Sequence, residues 1–154
     1  MTTPTGPAVS SPRTLPPEEV ALRQRLVAAE HAAIYAYGVL GARLTAPLQA
    51  VALAAYDTHR ARRDILASTL RAAEATVPAA KGAYDVRVQD QTAAVALAVQ
   101  VEEGLAVRWR DLVGGTFDPE VRTEAVGGLT ESAVRAATWR RAGGQPPTVT
   151  FPGT

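Results

Sequence analysis

Proline and glycine divide the chain into four stretches, and each stretch repeats its apolar residues at intervals of three and four. Pro16-Pro17-Glu18-Glu19 opens the first, which runs to about Leu44. Thr45 as N-cap, with Pro47 in the first turn, starts the second, which ends before Pro78. Asp90 can cap a third that stops at Gly114-Gly115, and Asp118-Pro119 opens a fourth closed by Gly143-Gly144. Proline suits a first turn, where its missing N–H has no helical partner to lose, and glycine suits a helix end. In the first stretch the pattern Leu22, Leu26, Ala29, Ala33, Tyr37, Leu40 marks one helical face, and no stretch keeps the period of two that a strand needs. The expected fold is all-α, a four-helix bundle over 17–142. A Pro/Ser/Thr-rich leader over 1–16 is expected to be disordered, and 143–154 form a tail.

Loop lengths constrain the topology. The first and third connections are short, so helices 1 and 2 form one antiparallel αα-hairpin and helices 3 and 4 another. The middle connection, "PAAKGAYDVRVQ", has twelve residues. Fully extended they reach ~40 Å, against ~38 Å for a helix of ~25 residues. That is enough for a lengthwise crossover, although the length does not require one.

The 154 residues suit a single domain. The net charge of +1 gives no overall drive toward nucleic acid or an anionic membrane. Without cysteine, disulfides and thiolate metal sites are excluded, which leaves carboxylates, histidine and tyrosine as ligands. The longest uncharged run, Leu44 to Tyr56, is shorter than the ~18–20 residues that cross a bilayer and contains Pro47. A soluble, cytoplasmic protein is expected.

One residue breaks the apolar pattern. Glu30 has Leu26, Val27, Ala33, Ile34 and Tyr37 as its one- and two-turn neighbours, which describes a core position. A buried carboxylate is costly unless it is paired, protonated or bound to a metal. Counted from the first turn, the residue level with Glu30 is His59. Counted from the second turn, Glu102 and Glu131 are level, and both pairs are 29 residues apart. Glu102 also sits among Val95, Ala98, Val99, Leu105, Ala106 and Trp109. Each hairpin thus presents a polar, metal-competent pair at mid-length.

The segments "AEHAAIYAYGVLGARL", "HRARRD", "YDVRV", "VEEGLA" and "AVRAATWR", with the terminal "FPG", resemble an actinobacterial ferritin-like family described as a domain of unknown function. The likeness covers about residues 17–154. It implies a ferritin-like four-helix bundle, a superfamily that includes iron-storage and di-iron oxidase proteins, and it lends no established activity.

A ferritin-like di-iron site needs a Glu on two helices and Glu-x-x-His on the other two. Glu30 and Glu102 fit the single-Glu positions. Helix 2 reads Tyr56-Asp57-Thr58-His59, with tyrosine where the motif has Glu, and helix 4 reads Glu131-Ser132-Ala133-Val134, with valine where it has His. If His59 takes the Glu position instead, Arg62 replaces the histidine. The signature is broken on either alignment. The expected site is therefore a buried polar network of Glu30, Glu102 and His59 with Arg62 or Arg63 as the neutralising cation. The competing arrangement is a reduced iron or manganese site on Glu30, His59, Glu102 and Glu131. No cofactor is expected on the first reading.

Other polar residues read more simply. His31 points about 100° away from Glu30 and suits a surface or interface. Arg60, Arg62, Arg63 and Arg71, with Asp57, Asp64 and Glu74 nearby, suit a solvated face, and Glu103 suits a surface position. Tyr35, Tyr37, Trp109 and Trp139 suit a core or interface. Gly127-Gly128 inside helix 4 points to close packing, by level against Leu105 and Ala106.

Two function classes remain. One is a metal-dependent oxidoreductase of the ferroxidase or di-metal oxidase type. The other, which the broken motif favours, is a metal-free bundle acting through its surface. "HAAIYAYGVLGA" and "APLQAVALAAY" lack charge all round and pack together at the end of the first hairpin. A helix apolar on every side needs extra cover, so a homodimer or larger assembly through helices 1 and 2 is expected. No nucleic-acid, membrane or small-molecule partner is assigned.

Overall fold

The computed structural model describes residues 14–153. Four helices follow in order: α1 Pro17–Gly41, α2 Leu48–Ala72, α3 Gln91–Gly115 and α4 Pro119–Ala142. The leader expected over 1–16 lies outside the described residues up to position 13, and Leu15 is buried against the bundle.

Local chemistry accounts for the helix starts. Pro17 stands in the first turn of α1, with Glu18 and Glu19 at the positive end of the helix dipole. The Asp90 carboxylate accepts from the Ala93 amide at 2.8 Å, and that of Asp118 accepts from Glu120 at 2.8 Å and Val121 at 3.3 Å. The start of α2 differs from expectation. Pro47 occupies the N-cap and supplies no side-chain hydrogen bond. The Thr45 amide and hydroxyl instead donate to Gln91 Oε1 at 3.1 and 3.0 Å, which ties the first turn to the start of α3.

The middle connection is a lengthwise crossover. It climbs beside α1, fastened in turn by Gln24 to the Thr76 carbonyl, His31 to the Pro78 carbonyl and Arg43 to the Val88 carbonyl. The Tyr35 and Tyr84 rings meet with centroids 5.3 Å apart. At the far end, the Thr116 hydroxyl reaches Glu19. So α1 runs antiparallel to both α2 and α3, a four-helix bundle with one long crossover connection. His31, read from sequence as a surface or interface residue, fastens this connection.

The helices do not close evenly. α1 packs on α2 and α3, and α3 packs on α4, but α2 and α4 stay more than 8 Å apart, Cα to Cα, along their length. The interior divides into two apolar halves. One gathers Tyr37, Leu40, Ala52, Val95, Ala98 and Trp139, and the other Leu26, Val27, Leu66, Leu105, Trp109 and Leu112. A layer of buried polar residues lies between them. Among the described residues no helix is long and apolar enough to cross a membrane.

Gly128 shows how close the packing is. A Cβ there would lie 2.3 Å from the Trp109 ring, so only glycine lets α4 close over that indole. The level count had placed Leu105 and Ala106 opposite this glycine. The facing residue is Trp109, about one turn farther along α3.

Candidate functional site

Glu30, His59 and Glu102 meet at the centre of the polar layer, and each is at most 1% exposed. His59 Nδ1 lies 2.8 Å from Glu30 Oε2, and Nε2 lies 3.1 Å from Glu102 Oε1. An ionised carboxylate can only accept, so a histidine serving two of them carries a proton on each nitrogen. His59 is thus an imidazolium bridging α1 and α3 from α2. Tyr37 extends the chain: its hydroxyl donates to Glu102 Oε1 at 2.7 Å and accepts from Trp139 Nε1 at 2.8 Å.

The second cation is not the one expected. Arg135 on α4 donates from Nε to Glu102 Oε1 at 3.0 Å. Arg62 lies over the Trp109 ring at 5.0 Å and pairs with Glu131, while Arg63 turns to its neighbour Asp64. Neither Arg62 nor Arg63 touches Glu30 or Glu102 in any hydrogen bond or ion pair. Side-chain direction explains the exchange. Helical side chains lean toward their own N-terminus, so the head of Arg135 drops to the level of Glu102 and that of Glu131 falls away from it. The Glu131 side chain is half exposed and lies between Arg62 and Arg135. It is not beside Glu30 or His59.

Burial works against both charges in the central pair, and the partners outweigh it. For His59, hydrogen bonds and charge from Glu102 and Glu30 overcome desolvation and hold the pKa above 6.5. For Glu102, His59, Arg135 and Tyr37 overcome desolvation and hold the pKa below 4.5. Burial, joined by the Glu102 charge, pushes the Tyr37 phenol well up, so it stays a neutral donor. Two carboxylates face two cations, and the layer is balanced.

These donors do not suit a metal ion. A metal needs lone pairs, yet both His59 nitrogens bear protons directed at carboxylates, and Glu102 Oε1 already accepts from Tyr37, His59 and Arg135. The Arg135 guanidinium adds a fixed charge that repels a divalent cation. Among the described residues, no group of three or more His, Cys, Asp or Glu side chains is arranged to hold one.

Sequence reasoning missed Arg135, the hydrogen-bonded Tyr37–Trp139 pair, and Ser132. Arg135 was legible in principle, since it continues the stripe of Gly128, Ser132 and Trp139 at helical spacing. Two fully buried side-chain atoms among the described residues have no hydrogen-bond partner, Glu102 Oε2 and Ser132 Oγ.

Fold and site together define a one-crossover four-helix bundle with a charge-balanced carboxylate–histidine–arginine centre. Its family is described only as "Domain of unknown function (DUF4439)", and the chain belongs to it over residues 21–154, which hold nearly all of α1, the other three helices and the tail. The chain is also similar to the crystal structure of a conserved hypothetical protein, rv2844, from Mycobacterium tuberculosis. The two are 33% identical with a TM-score of 0.79, and the match covers 84% of this chain and 99% of that one. No curated protein matches.

Proposed function

We propose that this is a ferritin-like bundle with a degenerate di-iron site, whose centre works without metal as a structural charge lock and whose surface does the protein's work by self-association. The observation that carries the reading is His59 placing one ring nitrogen against Glu30 and the other against Glu102 while Arg135 holds the same Glu102. In an intact di-iron bundle, metal ions would supply the positive charge that His59 and Arg135 supply here. Protein produced with added iron and manganese should hold less than one equivalent of either, and Glu30→Gln should leave that content unchanged. Stoichiometric metal that disappears in Glu30→Gln would overturn the reading and favour an iron- or manganese-dependent oxidoreductase.

The self-association surface is narrower than the uncharged segments suggested. The crossover covers the outer side of α1 through Pro78, Tyr84 and Val88. Among the described residues nothing covers the matching side of α2 and the turn before it, where Ala46, Pro47, Ala50, Leu53 and Ala54 are exposed, Leu53 by 62%. Leu53 rises beside a groove of about 330 Å³ that it lines with Gly38, Gly41, Ala42, Gln49 and Tyr56. A knob next to an open apolar groove on one face is self-complementary, so a second copy of the chain can seat its Leu53 there by two-fold symmetry. Sedimentation at tens of micromolar should give a dimer or larger, and Leu53→Glu should give a folded monomer. A monomeric wild-type chain removes this part of the proposal.

A further inference from the structure

We infer that the centre of the bundle contains a binding site for one water molecule, held between Glu102 Oε2 and Ser132 Oγ. Both residues are fully buried, and these two atoms are left without partners. A carboxylate oxygen buried without a donor loses its hydration and gains nothing in return, so a fold seldom leaves one bare. Three donors crowd onto Oε1 of the same carboxylate, which makes the bare Oε2 stand out.

Ser132 points the same way. Elsewhere in these helices Thr58, Thr69, Thr123 and Thr138 donate their hydroxyls to the carbonyl four residues earlier. Ser132 does not, and its hydroxyl stays in the interior. By count along the backbone the two residues are level to within about one turn, since 102 and 132 lie equally far from residue 117 in the turn between α3 and α4. Arg135, one turn on from Ser132, touches the same carboxylate.

The chemistry selects the ligand. The site must donate to a carboxylate and exchange a hydrogen bond with a hydroxyl, which water does. A cation is disfavoured because His59 and Arg135 already balance Glu30 and Glu102. That step rests on the metal-free reading. The wide side between α2 and α4 forms a groove of about 250 Å³ whose lining includes Arg135, the residue that touches the Glu102 carboxylate.

A crystal structure of the full chain that resolves ordered water tests this. The expected result is a density peak within hydrogen-bond reach of both Glu102 Oε2 and Ser132 Oγ, without anomalous signal. In Ser132→Ala the peak should persist on Oε2 with little change in the denaturation midpoint. In Ser132→Val the added methyl groups should displace it, and the midpoint should drop clearly further. If the valine variant does not fold, the wild-type and alanine densities decide. A Ser132 hydroxyl turned onto the Gly128 carbonyl, with no peak at Oε2, overturns the water site alone. An anomalous peak there overturns both the water and the metal-free reading.

Discussion

Glu102→Gln should cost about 3–5 kcal/mol at neutral pH, a large part of the ~5–15 kcal/mol that holds a domain of this kind together. Glutamine keeps the shape and can still accept hydrogen bonds. What it removes is the charge that His59 and Arg135 both face, so buried His59 is left with Glu30 alone and Arg135 with the half-exposed Glu131 at 3.8 Å. The pH dependence separates this from a packing defect. The Glu102 pKa is lowered on folding, so its contribution is present above about 4.5 and is lost as pH falls through the folded value. The His59 pKa is raised, so its contribution is present below about 6.5 and is lost as pH rises through the folded value. The gap between wild type and Glu102→Gln should therefore be widest from about pH 4.5 to 6.5 and close on the acid side, measured by urea denaturation across pH. A gap that is constant with pH would show that charge is not what the carboxylate contributes.

Much of this architecture could be read from the chain because its signals are local. Prolines, glycines and the capping aspartates each act within a turn of where they stand, so the helix limits at Asp90 and Asp118 agree with the structure. The end of the first hairpin was harder. Thr45 has the chemistry of an N-cap, but Gln91, far away in sequence, claims its hydroxyl. The crossover was undecided because loop length permits two topologies, and the anchors that select one lie on α1.

The centre was legible to the extent that burial is periodic. Glu30 and Glu102 interrupt apolar faces, and equal spacing from the turns set His59 beside Glu30. Identifying the cation required side-chain direction as well as Cα level. A count along the backbone places Glu131 opposite Glu102, whereas the N-terminal lean of helical side chains delivers Arg135. The same lean moves the residue facing Gly128 from Leu105 to Trp109. Level counting in an antiparallel hairpin is thus accurate to about one turn, which is enough to choose between a carboxylate and an arginine only when the lean is included.

Arg23→Met should be nearly as damaging as Glu102→Gln, although no sequence pattern singled the residue out. Arg23 is 2% exposed at the far end of the bundle, among side chains of the lower apolar half. Its Nε donates to Glu19 Oε1 at 2.9 Å, and its two terminal nitrogens form a fork on Glu124 at 3.2 and 2.9 Å. Burial opposes the charge, but these carboxylates hold its pKa above the usual arginine value. The fork ties α1 to α4, two helices with no close backbone packing between them. Methionine matches the aliphatic stem and removes only the head. Glu124 retains access to water, but Glu19 is 3% exposed and would be left with Thr116 as its remaining hydrogen-bond partner. An uncompensated buried carboxylate of this kind costs about 3–5 kcal/mol. The decisive comparison is with Glu19→Leu/Arg23→Met, which removes both buried charges at similar volume. If the cost is the stranded carboxylate, the double variant should recover most of the loss in urea denaturation, because apolar replacement of a whole buried pair is often neutral or better. A double variant as unstable as Arg23→Met would instead mean that the fork between α1 and α4 is what the arginine contributes. A single variant as stable as wild type would mean that it contributes neither.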